Sequence, residues 1–152
     1  MSGSQTFQRI TRQTIDDHRQ IHFYLDQVAL TLQGIGSGTD LEPLRRLAAQ
    51  IEGLKERLLE HHQAEEQGGL FQAILEAMPD CRVEVSRLTL QHDKIIEILE
   101  MARIHAQCGG PAEAEPLRTD LQGFLEMFRR HEQDEEQLLN LALRRERRAP
   151  AD

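Results

Sequence analysis

Apolar residues recur along the chain in steps of three and four, and the strict alternation of a half-buried strand is missing. The first stripe runs Ile15, Ile21, Leu25, Val28 and Leu32, with His18 on the same face, until Gly34-Ile35-Gly36-Ser37-Gly38 interrupts it. A second opens with Thr39 and Asp40 as N-cap candidates and Pro43 in the first turn, where a missing N–H costs nothing. It carries Leu47, Ile51, Leu54 and Leu58 and is expected to end before Pro79. A third contains Leu88, His92, Ile95, Leu99 and Ala102 and stops at Gly109-Gly110-Pro111. The fourth contains Leu117, Leu121, Phe124, Phe128, His131 and Leu138.

Four long helices with short connections predict an all-α fold, an antiparallel up-down-up-down four-helix bundle, because no helix can bury such a stripe alone. The two halves also resemble each other. Placing His18 on His92 puts Ile21 on Ile95 and Leu25 on Leu99, and HHQAEEQ at 61–67 then falls on HEQDEEQ at 131–137. The chain reads as two copies of one helical hairpin. A single domain over residues 1–152 is expected, with its bundle core at about 8–145, a short disordered N-terminus and a basic C-terminal tail.

Composition narrows the function classes. The 152 residues carry a net charge of −8, which argues against a nucleic-acid surface built from clustered Lys and Arg. The one basic run, Arg144-Arg145-Glu146-Arg147-Arg148, is placed to complement a helix C-terminus. Two cysteines, Cys81 and Cys108, make no disulfide framework and no C-x-x-C pair, so a cytoplasmic location is expected. No apolar run approaches membrane length, and MSGSQTFQRITRQ lacks the apolar segment of a secretory signal.

The chemistry lies where polar residues interrupt the stripes. Residues four apart on a helix are neighbours, so H-x-x-x-E offers an imidazole and a carboxylate to one point in space. His61/Glu65 and His131/Glu135 continue the apolar faces of their helices. The adjacent His62/Glu66 would carry the stripe back through the polar Lys55 and Glu52, which favours His61/Glu65 and leaves His62 at the surface or beside the site. A buried carboxylate is costly unless it is paired or holds a cation. Four imidazoles (His18, His61, His92, His131) and two carboxylates (Glu65, Glu135) exceed one four-coordinate ion and suit two metals bridged by carboxylate. Nitrogen and oxygen donors without thiolate favour iron or manganese over structural zinc. Asp17, Glu66, Asp93 and Glu136 stand as solvated residues or hydrogen-bond partners of the site. Ferritin-like di-iron oxidases use E-x-x-H, and no histidine here has Glu three positions before it.

In that order, His18, His61/Glu65, His92 and His131/Glu135 resemble the hemerythrin-like (HHE cation-binding) domains over roughly residues 8–145. The resemblance implies a non-haem di-iron bundle with two iron ions bridged by oxygen or hydroxide (manganese or zinc being the alternatives). It implies binding or sensing of O₂ or a related small ligand such as NO, or iron handling. One departure stands out: O₂ carriers of the family have a second histidine four residues before the third-helix ligand, and here that residue is Leu88. His22, one turn after His18, is a substitute for the missing donor. Two other functions are open at this stage: a di-iron redox enzyme reducing peroxide or O₂, and a helical interaction module with a structural metal or none.

Overall fold

The computed structural model of the chain describes residues 3–36 and 40–148. Five α-helices follow one another: α1 (Gly3–Gln33), α2 (Glu42–Glu66), α3 (Leu70–Ala77), α4 (Arg82–Cys108) and α5 (Ala114–Arg148). Single 3₁₀ turns at Pro79–Cys81 and Pro111–Glu113 precede α4 and α5. The four long helices form a ring in which α2 packs between α1 and α4, and α5 packs against α4 and α1. Two arginines fix their directions. Arg45, at the start of α2, donates to the carbonyls of Ala106 and Gly109 at the end of α4. Arg118, at the start of α5, donates to the carbonyl of Ile35 just past α1. Both connections therefore lie at one end of the bundle, and the expected up-down-up-down order follows.

The stripes bury as their spacing requires. Ile21, Leu47, Ile51, Leu54, Leu58, Ile95, Leu99, Leu117, Phe124 and Phe128 form the main core towards the loop end. A second apolar cluster closes the other end, where α3 lays Leu70, Phe71 and Ile74 against Phe7, Leu88, Leu138 and Leu139. A fully buried Leu or Ile contributes about 1.5–3 kcal/mol, so these two clusters supply the drive for closure. Among the described helices none is long and apolar enough to cross a membrane.

The structure departs from the sequence expectations at five places. Gly3–Phe7 are helical and Phe7 is buried under α3, so the first helix begins before residue 8. Ile15 points to solvent and Thr14 is buried in its place, its hydroxyl donating to the Ile10 carbonyl. Leu41 rather than Asp40 is the N-cap of α2, with Asp40 one residue earlier accepting from the Glu42 N–H, and Thr39 lies outside the described residues. The basic run continues α5 to Arg148 as helix, its arginines in the last turn beside the carbonyl end.

The fifth departure shapes the site. The second helix does not run on to Pro79: it ends at Glu66, and Gln67-Gly68-Gly69 turns the chain into α3. Gly68 has φ +121°, a conformation that side chains disfavour. A Cβ on Gly69 would overlap the carbonyl oxygen of Ala64. The tight turn brings α3 across the open end, and Phe71 stacks on His92 with ring centroids 5.4 Å apart.

Gly69→Ala is therefore expected to cost about 2 kcal/mol or more, lowering the Tm by about 4 °C or more. Gly53, inside α2 with open space around its Cα, gives the control, because Gly53→Ala should stabilise by about 0.5–1 kcal/mol. Calorimetry of both variants checks the pair. Equal Tm values would mean that the 67–69 turn is not set by this contact.

Candidate metal centre

Between the two apolar clusters lies one polar layer, fed by all four long helices. His18 comes from α1, His61, His62 and Glu65 from α2, His92 from α4, and His131 and Glu135 from α5. All but His18, which is slightly exposed, are buried, and Glu135 is wholly inaccessible.

The four predicted histidines share one orientation. Each turns Nδ1 outward: His61 to Asp17 at 3.1 Å, His92 to Glu66 at 3.2 Å, His131 to the Gln91 Oε1 at 2.8 Å, and His18 towards Glu132 at 3.6 Å. Gln91 is itself oriented by donating to Asp134. Because these outer partners accept, they hold the proton on Nδ1 and leave the Nε2 lone pair facing inward.

The inward atoms crowd together. His61 Nε2 and His92 Nε2 lie 3.2 and 3.3 Å from Glu65 Oε1. His18 Nε2 is 3.1 Å from Glu135 Oε1, and His131 Nε2 is 3.2 Å from Glu135 Oε2. The Nε2 atoms of His92 and His131 approach to 3.1 Å. Each carboxylate thus spans two histidines from different helices. None of the four carboxylate oxygens of Glu65 and Glu135, nor the Nε2 atoms of His61 and His62, has a well-directed hydrogen-bond partner. Acceptors face acceptors across a dry interior, which is unfavourable unless protons or a cation sit among them.

Electrostatics follow from that crowding. Burial, reinforced by the neighbouring Glu135 charge, pushes Glu65 well above the usual carboxyl range. Burial would raise Glu135 too, but the close approach of the His131 and His18 imidazoles and of the Glu65 carboxyl outweighs it and holds Glu135 well below that range. Burial lowers His62 to about 3, with His131 and His61 adding repulsion. Burial lowers His92 to about 2, with His62 and His131 adding to it. His61 is lowered by burial against the pull of Asp17. At His18 burial is overcome by Glu135 and Glu132, which raise it.

Three groups of side chains offer donor atoms within 4.8 Å of one another: His18, His61, Glu65 and Glu135; Glu65, His92, His131 and Glu135; and His62, His92 and His131. The first two together contain all six residues singled out by the spacing, and they share both carboxylates. The donors are nitrogen and oxygen only; Cys108 is exposed, and Cys81 packs at the edge of the α3 cluster. This donor chemistry, with its orphaned buried oxygens, fits a pair of carboxylate-bridged cations.

Two neighbouring histidines, His22 and His62, fall differently from the sequence reading, and other residues lie away from the layer. His22 does not join the layer: half exposed, it pairs with Glu132 at 3.0 Å. His105 pairs with Asp120 far along the bundle. Tyr24 lies at the surface against Phe23. His62, expected at the surface or beside the site, is buried and lies within it. Its inward position follows from the place of α2 between α1 and α4. Two successive residues about 100° apart on that helix can therefore both face inward, His61 towards α1 and His62 towards α4. Gln91 and Glu132 were also passed over; their signal was the position directly beside a site histidine.

The sequence profile of the hemerythrin HHE cation binding domain matches residues 9–143. No curated protein and no solved structure matches the chain. With most of its length covered, the chain belongs to the hemerythrin HHE cation-binding family.

The lowered histidines predict how the metal-free protein responds to acid. The unfolded chain protonates its histidines near pH 6.5, whereas folded His62 and His92 resist to about 3 and about 2. The unfolded state therefore binds more protons, and stability present above pH 6.5 is lost as pH falls. Glu135 acts in the same sense below the ordinary carboxyl range, while His18 and Glu65 oppose it. Calorimetry of metal-free protein should show the Tm falling by about 5 °C or more between pH 7.5 and 5.5. A flat profile would show that these imidazoles are not held neutral.

Proposed function

We propose that this member of the hemerythrin HHE family holds two iron ions in the polar layer and binds O₂ or a related small ligand such as NO there, in the cytoplasm. His18 and His61 would hold one ion and His92 and His131 the other, with Glu65 and Glu135 bridging them. The observation that carries this reading is the sharing of both buried carboxylates by two four-residue donor groups. An iron pair supplies redox-active sites to which an exogenous ligand adds.

The chain's own residues supply the rest. Asp17, Glu66 and Gln91 keep the imidazoles in one tautomer and raise their basicity as donors. The apolar clusters above and below limit water at the layer. A cavity of about 260 Å³ between α1, α2 and α3 reaches His61 and Glu65 past Thr14 and Leu70, with Arg9 and Gln13 among its walls. That volume admits a diatomic molecule or a small anion.

Protein purified without chelators should carry about two irons per chain. Anaerobic reduction followed by O₂ should produce a new visible charge-transfer band, and Glu135→Ala should abolish both iron and band while retaining helical circular dichroism. Loss of the band on deoxygenation identifies a carrier or sensor, and irreversible oxidation identifies redox or iron-handling chemistry instead. A folded, spectroscopically silent wild type that takes up no metal would overturn the proposal.

A further inference from the structure

We propose that the solvent face of α4 docks a second copy of this chain, the two α4 helices lying antiparallel about a two-fold axis that passes between Lys94 and Glu97. This face is on the opposite side of α4 from His92 and does not depend on what the polar layer holds.

α4 is apolar on two sides. Val85, Leu88, Ile95, Leu99, Ala102 and Ala106 are buried in the bundle. Val83, Leu90, Met101 and Ile104 on the same helix are 68, 63, 51 and 45 % exposed. At about 100° per residue these four fall within about 60° of one another, opposite the buried set. The exposed apolar residues of α1 have no such order, since Ile15 and Tyr24 lie on opposite sides of that helix.

The four residues belong to two interleaved runs in steps of seven. Val83, Leu90, Glu97 and Ile104 form one, and Arg87, Lys94, Met101 and Cys108 form the other, four positions on. Two such runs on one face make the seam along which a pair of helices packs. Lys94 and Glu97, at the middle of the seam, are exposed and enter no ion pair among the described residues. The neighbouring Lys55 and Arg103 are occupied by Glu100 and Glu52 instead.

The charges select both the occupant and its direction. With Lys94 opposite Glu97 of the partner subunit, the two-fold axis also brings Glu97 opposite the partner's Lys94, so two ion pairs form. The same register sets Leu90 against Met101 of the partner subunit and Val83 against the partner's Cys108. Arg87 falls opposite the partner's Ile104, where its stem can cover apolar surface while the guanidinium stays in water. A parallel pair would instead put lysine on lysine and glutamate on glutamate, which repel. A central polar pair in an apolar seam fixes register and direction at some cost in strength.

Sedimentation equilibrium on the protein as purified tests this. The wild type should approach twice the 17.5 kDa chain mass at about 200 µM, as suits a small interface, and fall towards one chain mass on dilution. Leu90→Glu, at an exposed position, should weaken association about tenfold or more while helical circular dichroism is unchanged. Lys94→Glu and Glu97→Lys should each weaken it as well, by setting like charges together. The double variant Lys94→Glu/Glu97→Lys should recover association, because both pairs re-form with their signs exchanged. A wild type that stays monomeric overturns the proposal and leaves this face to another kind of protein. A dimer insensitive to Leu90→Glu overturns it too, because a different surface then makes the contact. A double variant no better than the single ones overturns the antiparallel two-fold arrangement.

Discussion

Everything in this molecule is arranged around one unfavourable act, the burial of two glutamates and five imidazoles in a single layer of an apolar bundle. A neutral imidazole with its proton held outward presents a lone pair inward, and a carboxylate presents only lone pairs. The approach of His92 Nε2 to His131 Nε2 at 3.1 Å and the orphaned oxygens of Glu65 and Glu135 are the direct expression of this. Each unsatisfied buried group costs about 1–3 kcal/mol, comparable with the gain from burying one leucine. The apolar clusters on either side are what allow the chain to fold around such a layer. Without a cation, the remaining relief is to displace protons, which is why Glu65 is driven up while Glu135 is driven down.

The ends of the bundle serve the layer in different ways. At the loop end, Arg45 and Arg118 tie the connections to neighbouring helix ends, so the four faces are held in register over a long apolar stack. At the other end the layer lies closer to the surface, and a plain helical bundle would leave it open. The turn at Gly68-Gly69 answers that by folding α3 across the opening and placing Phe71 against His92. The closure is incomplete on the α1 side, where the cavity past Thr14 reaches His61. A threonine there, in place of the isoleucine expected from the stripe, leaves a smaller and more polar wall.

Most of the fold was legible because it depends on periodicity. Leu47, Ile51, Leu54 and Leu58, or Leu117, Leu121, Phe124 and Phe128, are buried where steps of three and four put them. The same periodicity brought the six residues of the layer together, because a polar pair in a core stripe needs a reason to be there. What escaped depends on relations between helices. Phe7 is buried only because α3 comes back over it, and α3 exists as a separate element only because Gly69 must approach the Ala64 carbonyl. His62 escaped for a related reason: a stripe is defined on one helix, whereas the inward arc of α2 is set by its having neighbours on two sides.

The repeat explains why the layer is nearly symmetric and where it is not. Duplication of a hairpin bearing one histidine and one H-x-x-x-E yields two donor groups automatically, and pairing across the bundle makes each carboxylate reach a histidine of the other copy: Glu65 meets His92, and Glu135 meets His18. Neither copy is therefore complete alone, so the centre can form only when both hairpins close. That coupling also limits how the centre can change. A substitution at Glu65 or Glu135, which both donor groups share, disturbs the two groups at once, whereas the residue following each motif histidine faces one half only. Position 62 and position 132 are the places where the two halves can be made different without breaking what they share. They hold a buried histidine in one copy and an outward glutamate paired with His22 in the other.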